Sequence, residues 1–274
     1  MKYKGQVVWI TGATAGLGRE MAYEFARQGA YVIPSGRREQ RLLDVCSHIE
    51  AITKATTDAA LPASLGIALD VTQEETLQSA VDRIIATYGR LDIVVANAGF
   101  GVSGAIGSLS TDDWRRQFNV NVIGLVSTVT VALPHLRDTQ GRIGLVSSVM
   151  GCLTMPRNGA YSASKYAVRA IGQTLSMELH GTGVSCTTIF PGFVESEIGQ
   201  VNNLGEHDPD TRDKRPAGLM WPTAKAARIM VGAIGRRKRN FTFTTHGKIG
   251  AWFGRHMPDL IHILMRRRHP RSAQ

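Results

Sequence analysis

Short apolar runs alternate with helix-period segments along nearly the whole chain, and this alternation limits the possible folds more than any other feature. The runs Gln6–Ile10, Tyr31–Ser35, Leu65–Leu69, Leu91–Ala96, Arg142–Ser147, Val184–Phe190 and Phe241–Thr245 read as strands. Between them, Gly18–Gln28, Glu39–Ile52, Glu74–Tyr88, Asp112–Arg137, Gly159–Leu179 and Thr223–Ile234 read as helices; in the third, Leu77, Val81, Ile84 and Ile85 share one face. A Thr/Ala-rich loop is expected around Ala55–Ser64. The run LDIVVA at 91–96 lacks polar alternation, as a strand covered on both faces should. Strand-helix alternation with short connections predicts an α/β fold, a doubly wound parallel sheet of about seven strands with helices on both faces. We place this domain at 1–245, with a polar segment 193–222 inside it and a separate extension at 246–274.

Bulk properties narrow the class. With 274 residues, 43% hydrophobic and 20% charged, the chain can bury a substantial core. Cys46, Cys152 and Cys186 are odd in number and widely spaced, so neither a disulfide framework nor a metal knuckle follows, and a reducing, cytoplasmic setting is expected. His135, His180 and His246 have no ligand-spaced neighbours, so no metal is expected. Val7–Ile10 is too short for a signal peptide, and no run is expected to reach the ~20 apolar residues of a membrane span. The net charge of +10 is concentrated: Arg236–Gln274 holds ten of the 32 Lys and Arg residues and one of the 22 acids, Asp259. That places the excess in the last 39 residues and argues against a nucleic-acid role for the rest of the chain.

The first strand runs into Thr11-Gly12-Ala13-Thr14-Ala15-Gly16-Leu17-Gly18, and a helix follows. Glycines here allow a tight turn and close approach to a pyrophosphate, and the helix start offers N–H groups to that anion. This is the Rossmann-type position for a dinucleotide. The second strand ends at Ser35-Gly36-Arg37-Arg38, where an NAD site would place a carboxylate for the ribose 2′-hydroxyl. Arginines suit a 2′-phosphate instead, so NADP(H) is expected over NAD(H), with Arg37 the first candidate and Arg38 the second. Asp70, after the third strand, is placed to accept from the adenine amino group, and Asn97-Ala98-Gly99, after the fourth, to line the cleft.

Farther on, SVMGCLTMPRNGAYSASK at 148–165 puts Ser148 at a strand end and Tyr161 and Lys165 four residues apart on a helix, one turn from each other. Hydroxyl, phenol and ammonium can therefore converge on one point. With TGATAGLG at 11–18, Asp70 and Val71 in LDV, Asn97-Ala98-Gly99, Asn121 in NVIG, Ser148, YSASK at 161–165 and Pro191-Gly192, the chain resembles the short-chain dehydrogenase/reductase family over roughly residues 5–198. The resemblance implies hydride transfer between a nicotinamide and a carbonyl/alcohol pair. It makes Tyr161 the proton donor in reduction, with Lys165 and the positive charge of an oxidised nicotinamide together lowering its pKa, and Lys165 bonding the nicotinamide ribose. Ser148 would hold the substrate oxygen, and Asn121 a proton-relay water. Pro191, Gly192, Val194 and Ser196 would lie at the nicotinamide; Ser196 stands where the family often has threonine. Ala15 is a departure, because many NADP-dependent members carry a basic residue there.

The resemblance also implies a mobile substrate lid at 193–222 and a homodimer or homotetramer paired through the two long helices. In the extension, Trp252, Phe253, Met257, Leu260, Ile261, Leu264 and Met265 form an apolar pattern between Arg236–Arg239 and Arg266–Arg268, with Pro258 placed to open a helix. Peripheral contact with an anionic membrane and docking on the chain's own core or on a second subunit both suit it. A hydrophobic substrate is expected. The rival reading of the whole chain is a cofactor-binding regulator or scaffold of the same fold that performs no turnover.

Overall fold

The computed structural model describes residues 1–56, 64–208, 210, 213 and 215–268. Much of the loop expected at 55–64 lies outside them. The strands are β1 Val7–Thr11, β2 Tyr31–Gly36, β3 Ile67–Ala68, β4 Ile93–Ala96, β5 Arg142–Val146, β6 Ser185–Ile189 and β7 Asn240–Phe241. They form one parallel sheet in the order β3-β2-β1-β4-β5-β6-β7. The helices are α1 Gly16–Arg27, α2 Glu39–Thr56, α3 Glu74–Tyr88, α4 Thr111–Phe118, α5 Gly124–Asp138, α6 Gly159–Glu178, α7 Thr223–Gly235, α8 Thr245–His256 and α9 Pro258–Arg268.

Two cores explain the unbroken apolar strands. Along β1, Val8 and Ile10 face α1 and α7, packing with Met21, Phe25, Met230 and Ile234. Val7 and Trp9 face the other side, packing with Leu77, Ile84, Leu125 and Leu136 of α3 and α5. Side chains alternate along a strand, so both phases of β1 are buried and neither can be polar. Chain direction through the sheet reverses between β1 and β4, which opens a crevice at their carboxyl ends.

Three expectations change. The stretch read as one long helix, Asp112–Arg137, is opened at Ser110 by a reciprocal capping box with Asp113 and is interrupted by one π-helical turn, Asn119–Ile123. The expected last strand, Phe241–Thr245, stops at Phe241, because the Thr244 hydroxyl accepts from Gly247 N and caps α8 instead. And Thr111–Asp138 is long and apolar enough, by length and composition, to cross a membrane, although its Leu125, Val129, Ala132 and Leu136 are buried in the second core.

The extension does not stand apart from the body. Ala251 packs with Cys152 and Phe190, and the Arg255 guanidinium lies 3.3 Å from Cys152 Sγ and over the Phe190 ring. Of the alternatives open for the tail, docking on its own core therefore holds for α8. Pro258 does open α9.

Candidate active site

The glycine turn is tied to the neighbouring strand before any ligand is considered. Thr11 Oγ1 accepts from Asn97 N and Ala98 N at 3.2 and 3.3 Å, and Asn97 Nδ2 donates to the carbonyls of Thr11 and Gly12, both at 3.0 Å. Gly12 has φ +65°, and a Cβ there would lie 2.7 Å from Ala98 Cα. At Gly18 a Cβ would run into Gly12 O and Asn97 Nδ2. Only glycine lets the turn and the helix start come this close. α1 then opens at Gly16 with Ala15 before it, and no side chain caps its first turn. Its leading N–H groups are thus left for an anion, which is what a pyrophosphate requires. Leu17 packs against the first core, and Gly16 sets its backbone against Ser196.

At the adenosine end, Ser35 differs from expectation. Its hydroxyl is fully buried, accepting from Trp9 Nε1 at 3.0 Å and donating to Ile10 O at 3.2 Å, so it has turned into the sheet and away from the crevice. Arg37 donates to Gly205 O at 2.9 Å. Arg38 reaches back to Thr14 Oγ1 through Nε and Nη2 at 3.2 and 3.0 Å, and its Nη1 meets Glu197 at 3.0 Å. Asp70 Oδ1 accepts from Thr72 N and Thr72 Oγ1, which stiffens the loop after β3, while Val71 is buried against Gly124.

The reacting groups meet where β5, the π turn and α6 converge. Ser147 Oγ donates to Lys165 O at 2.9 Å, clamping α6 to the end of β5. Lys165 is only 4% exposed; its Nζ donates to Val146 O at 2.9 Å and lies 5.7 Å from the centre of the Tyr161 ring. Burial lowers its pKa from 10.5 to about 8. Ser148 accepts from Met150 N at 3.1 Å, and its hydroxyl acts to lower the Tyr161 pKa. The backbone of Gly101 passes the Tyr161 ring, and that of Gly99 runs beside Lys165 Nζ.

Burial is the largest influence on Tyr161 and raises its pKa above 10, against the lowering effects of the Ser148 hydrogen bond and the Arg215 charge. The lowering expected from Lys165 together with an oxidised nicotinamide belongs to the cofactor-bound site.

Asn121 sits in the π turn, the kind of helix interruption often found at functional sites. Its Oδ1 accepts from Phe100 N at 3.0 Å, and its Nδ2 donates to Phe100 O at 2.9 Å and Ser164 Oγ at 3.2 Å. The structure thus gives Asn121 the task of holding the 99–101 loop over Tyr161 and Lys165.

The segment expected to form a lid, 193–222, is tied down at several described residues. Val194 pairs with Trp221, and Asn203 exchanges two hydrogen bonds with the backbone of Ser103. Arg215 is held by Asp213 and donates to Val194 O, Ser196 Oγ and Ser196 O. Pro191 O accepts from Val149 N, and Gly192 packs against Thr244 and His246. Beside the lid an open cavity of about 410 Å³ is lined by Gly218, Leu219, Met220, Trp221, Thr245, His246 and Ile249, with none of Ser148, Tyr161 or Lys165 in its wall.

Sequence reasoning missed Arg41, Glu197 and Arg215. Arg41 had a signal, since it lies three residues after Arg38 in the first turn of α2. Glu197 and Arg215 sit in a segment with no hydrophobic period, where nothing marks which charges point inward.

The comparisons agree with this geometry. The short chain dehydrogenase family profile matches residues 6–207. The 11-beta-hydroxysteroid dehydrogenase A of Sesamum indicum is 32% identical over 268 residues, covering 96% of this chain and 75% of that protein. A short chain dehydrogenase/reductase of Burkholderia phymatum, solved in complex with NAD, is 26% identical and covers 100% of both chains with a TM-score of 0.81. An alcohol dehydrogenase of Thermococcus sibiricus, solved with 5-hydroxy-NADP, shares the fold at 21% identity and TM-score 0.74, covering 88% of this chain and 97% of that one. Motif order, sheet order and the Ser148–Tyr161–Lys165 meeting point lead to one assignment: the chain belongs to the short-chain dehydrogenase/reductase family of oxidoreductases.

Proposed function

We propose that this enzyme is an NADP(H)-dependent oxidoreductase acting on a hydrophobic carbonyl/alcohol pair, with Tyr161 as the acid/base. The carrying observation is the meeting of Tyr161 and Lys165, one turn apart on α6, with Ser148 at the end of β5. The turn at Gly12–Gly18, with Asn97 behind it, would hold the pyrophosphate, while Thr14 and Arg38 would hold a 2′-phosphate and Lys165, Pro191, Gly192 and Ser196 the nicotinamide ribose and amide. When bound, the nicotinamide supplies or accepts the hydride. Ser148 donates to the substrate oxygen and fixes the carbonyl, as donors aimed at a developing oxyanion do. Tyr161 gives its phenolic proton to that oxygen in reduction and takes it back in oxidation. The Lys165 ammonium, charged below about pH 8, stands near the ring as the phenol loses its proton. The lid excludes water from the exchange.

Support for the cofactor preference is the absence of a carboxylate at Ser35–Arg38 and the pairing of Arg38 with the glycine turn through Thr14. Support for a hydrophobic substrate is the name of the Sesamum relative, a hydroxysteroid dehydrogenase. The exposed Ile123 at the end of the π turn, Val126 on α5 and Met177 on α6 support a homodimer or homotetramer paired through those helices. Exposed Ile249, Trp252, Met257, Ile263 and Leu264 beside a basic terminus support contact with an anionic membrane through α8 and α9, and the free Cys46, Cys152 and Cys186 suit a cytoplasmic setting. The test is a screen of ketones, aldehydes and alcohols of graded chain length, followed by NADPH absorbance and repeated with NADH. Turnover that rises with apolar size and favours NADPH is expected; clear NADH preference overturns the cofactor assignment.

A further inference from the structure

The lid carries a carboxylate into the group of cations that the cofactor reading reserves for a phosphate. Glu197 Oε2 meets Arg38 Nη1 at 3.0 Å, and both Glu197 oxygens meet Arg41 Nη1 at 2.7 Å. His207 Nε2 stands 3.9 Å from Oε2. The same Arg38 guanidinium turns its other two nitrogens to Thr14 in the glycine turn. An anion from a distant segment is therefore held by two arginines at the end of β2, beside the turn that a dinucleotide would span. A phosphate monoester offers guanidinium groups the same charge-assisted geometry, with more charge and one more acceptor oxygen than a carboxylate.

The pairing is also weak enough to exchange. The side chains of Glu197, Arg38 and Arg41 are 31%, 38% and 40% exposed, so solvent screens each contact and neither pair is strong alone. Glu197 follows Ser196, whose carbonyl and hydroxyl are held by Arg215, so the carboxylate is continuous with the part of the lid that reaches the reacting end.

We propose that Glu197 is an intramolecular occupant of the 2′-phosphate site, and that Arg41 completes that site with Arg38 and Thr14. The proposal rests on the NADP(H) reading. The carboxylate and a 2′-phosphate compete for the same guanidinium groups, so a 2′-phosphorylated nucleotide releases this corner of the lid and one without the phosphate leaves it latched. Glu197 thereby sets how strongly the enzyme distinguishes the two nucleotides, and lid and phosphate weaken each other by the same factor.

Calorimetric titration of the full chain with 2′,5′-ADP and with 5′-AMP tests this without any turnover. Removing the competing carboxylate by Glu197→Gln or Glu197→Ala should tighten 2′,5′-ADP about three- to tenfold, the range two exposed ion pairs supply. Affinity for 5′-AMP should stay where it is. Arg41→Gln should weaken 2′,5′-ADP about fivefold relative to 5′-AMP, and no change there would remove Arg41 from the site. If the unaltered chain prefers 2′,5′-ADP but both Glu197 variants leave that preference unchanged or smaller, the latch is wrong and the NADP(H) reading stands. If neither the unaltered chain nor the variants prefer 2′,5′-ADP, both fail. If only the variants prefer it, the latch stands and the NADP(H) preference of the unaltered chain fails. Loss of 5′-AMP binding in both variants would make Glu197 a structural residue and overturn the latch.

Discussion

Replacing Lys165 with methionine should stabilise the folded protein at neutral pH while removing its ammonium from the active site. Lys165 is 4% exposed, and burial lowers its pKa from 10.5 to about 8. At about 1.4 kcal/mol per pKa unit, keeping it charged in the fold costs about 3 kcal/mol at pH 7. The sign follows from proton uptake. Between pH 10.5 and about 8 the unfolded chain binds this proton more readily than the folded one, so stability falls as pH falls through that window. Below pH 8 the cost is fully present, and above 10.5 it is gone. Methionine has similar length and never ionises, but it gives up the Nζ hydrogen bond to Val146 O, worth about 1 kcal/mol. The variant should thus be about 2 kcal/mol more stable at pH 7, with the gain shrinking above pH 8 and turning to a deficit of about 1 kcal/mol near pH 10.5. Urea denaturation of both proteins across that range measures the difference, and groups common to both cancel. A variant less stable at pH 7, or a difference that does not change with pH, would refute the claim that Lys165 is held charged at a cost.

Other perturbations probe the rest of the site. Gly18→Ala pushes a methyl into Gly12 O and Asn97 Nδ2, so the turn must shift; a loss of about 1–3 kcal/mol in thermal denaturation and weaker NADPH binding are expected, and an unchanged Kd would contradict the close approach. Asn121→Ala leaves Phe100 N–H without its partner, while Phe100 O keeps the amide of Gln117. About 1–3 kcal/mol of stability should be lost, with faster amide exchange at Phe100 than in the unaltered protein. Because burial raises the Tyr161 pKa, initial rates of carbonyl reduction should hold through neutral pH and fall on the alkaline side as the phenol ionises, while alcohol oxidation rises there. A reduction rate that climbs from pH 7 to 9 would contradict this assignment.

What could be read from the chain alone follows from where short-range physics decides the outcome. β1 was legible because both of its faces are buried, by Val8 and Ile10 on one side and Val7 and Trp9 on the other, leaving no polar residue to blur the run. Tyr161 and Lys165 were legible because helical spacing alone puts them one turn apart on α6. The π turn was not: NVNVI at 119–123 continues the apolar helical pattern, and the interruption serves the long-range bonds from Asn121 to Phe100. Ser35 was misjudged for a related reason, since its partner Trp9 lies on the neighbouring strand. Glu197 and Arg41 are far apart along the chain and meet only once the lid folds back on α2, so no local pattern announces the pair. The end of β7 turned on one hydroxyl, Thr244, choosing the helix cap over the strand.

Replacing Tyr161 by phenylalanine tests the central claim most directly, because it deletes the proton donor and leaves the ring. Ser148 keeps Met150 N, and Lys165 keeps Val146 O. NADPH binding is followed by fluorescence titration, and hydride transfer to an identified carbonyl substrate by single-turnover absorbance. The account predicts an NADPH Kd within about twofold of the unaltered enzyme and a transfer rate lower by at least about 10²-fold, the least that a positioned acid contributes. Unchanged transfer with NADPH still bound would contradict it.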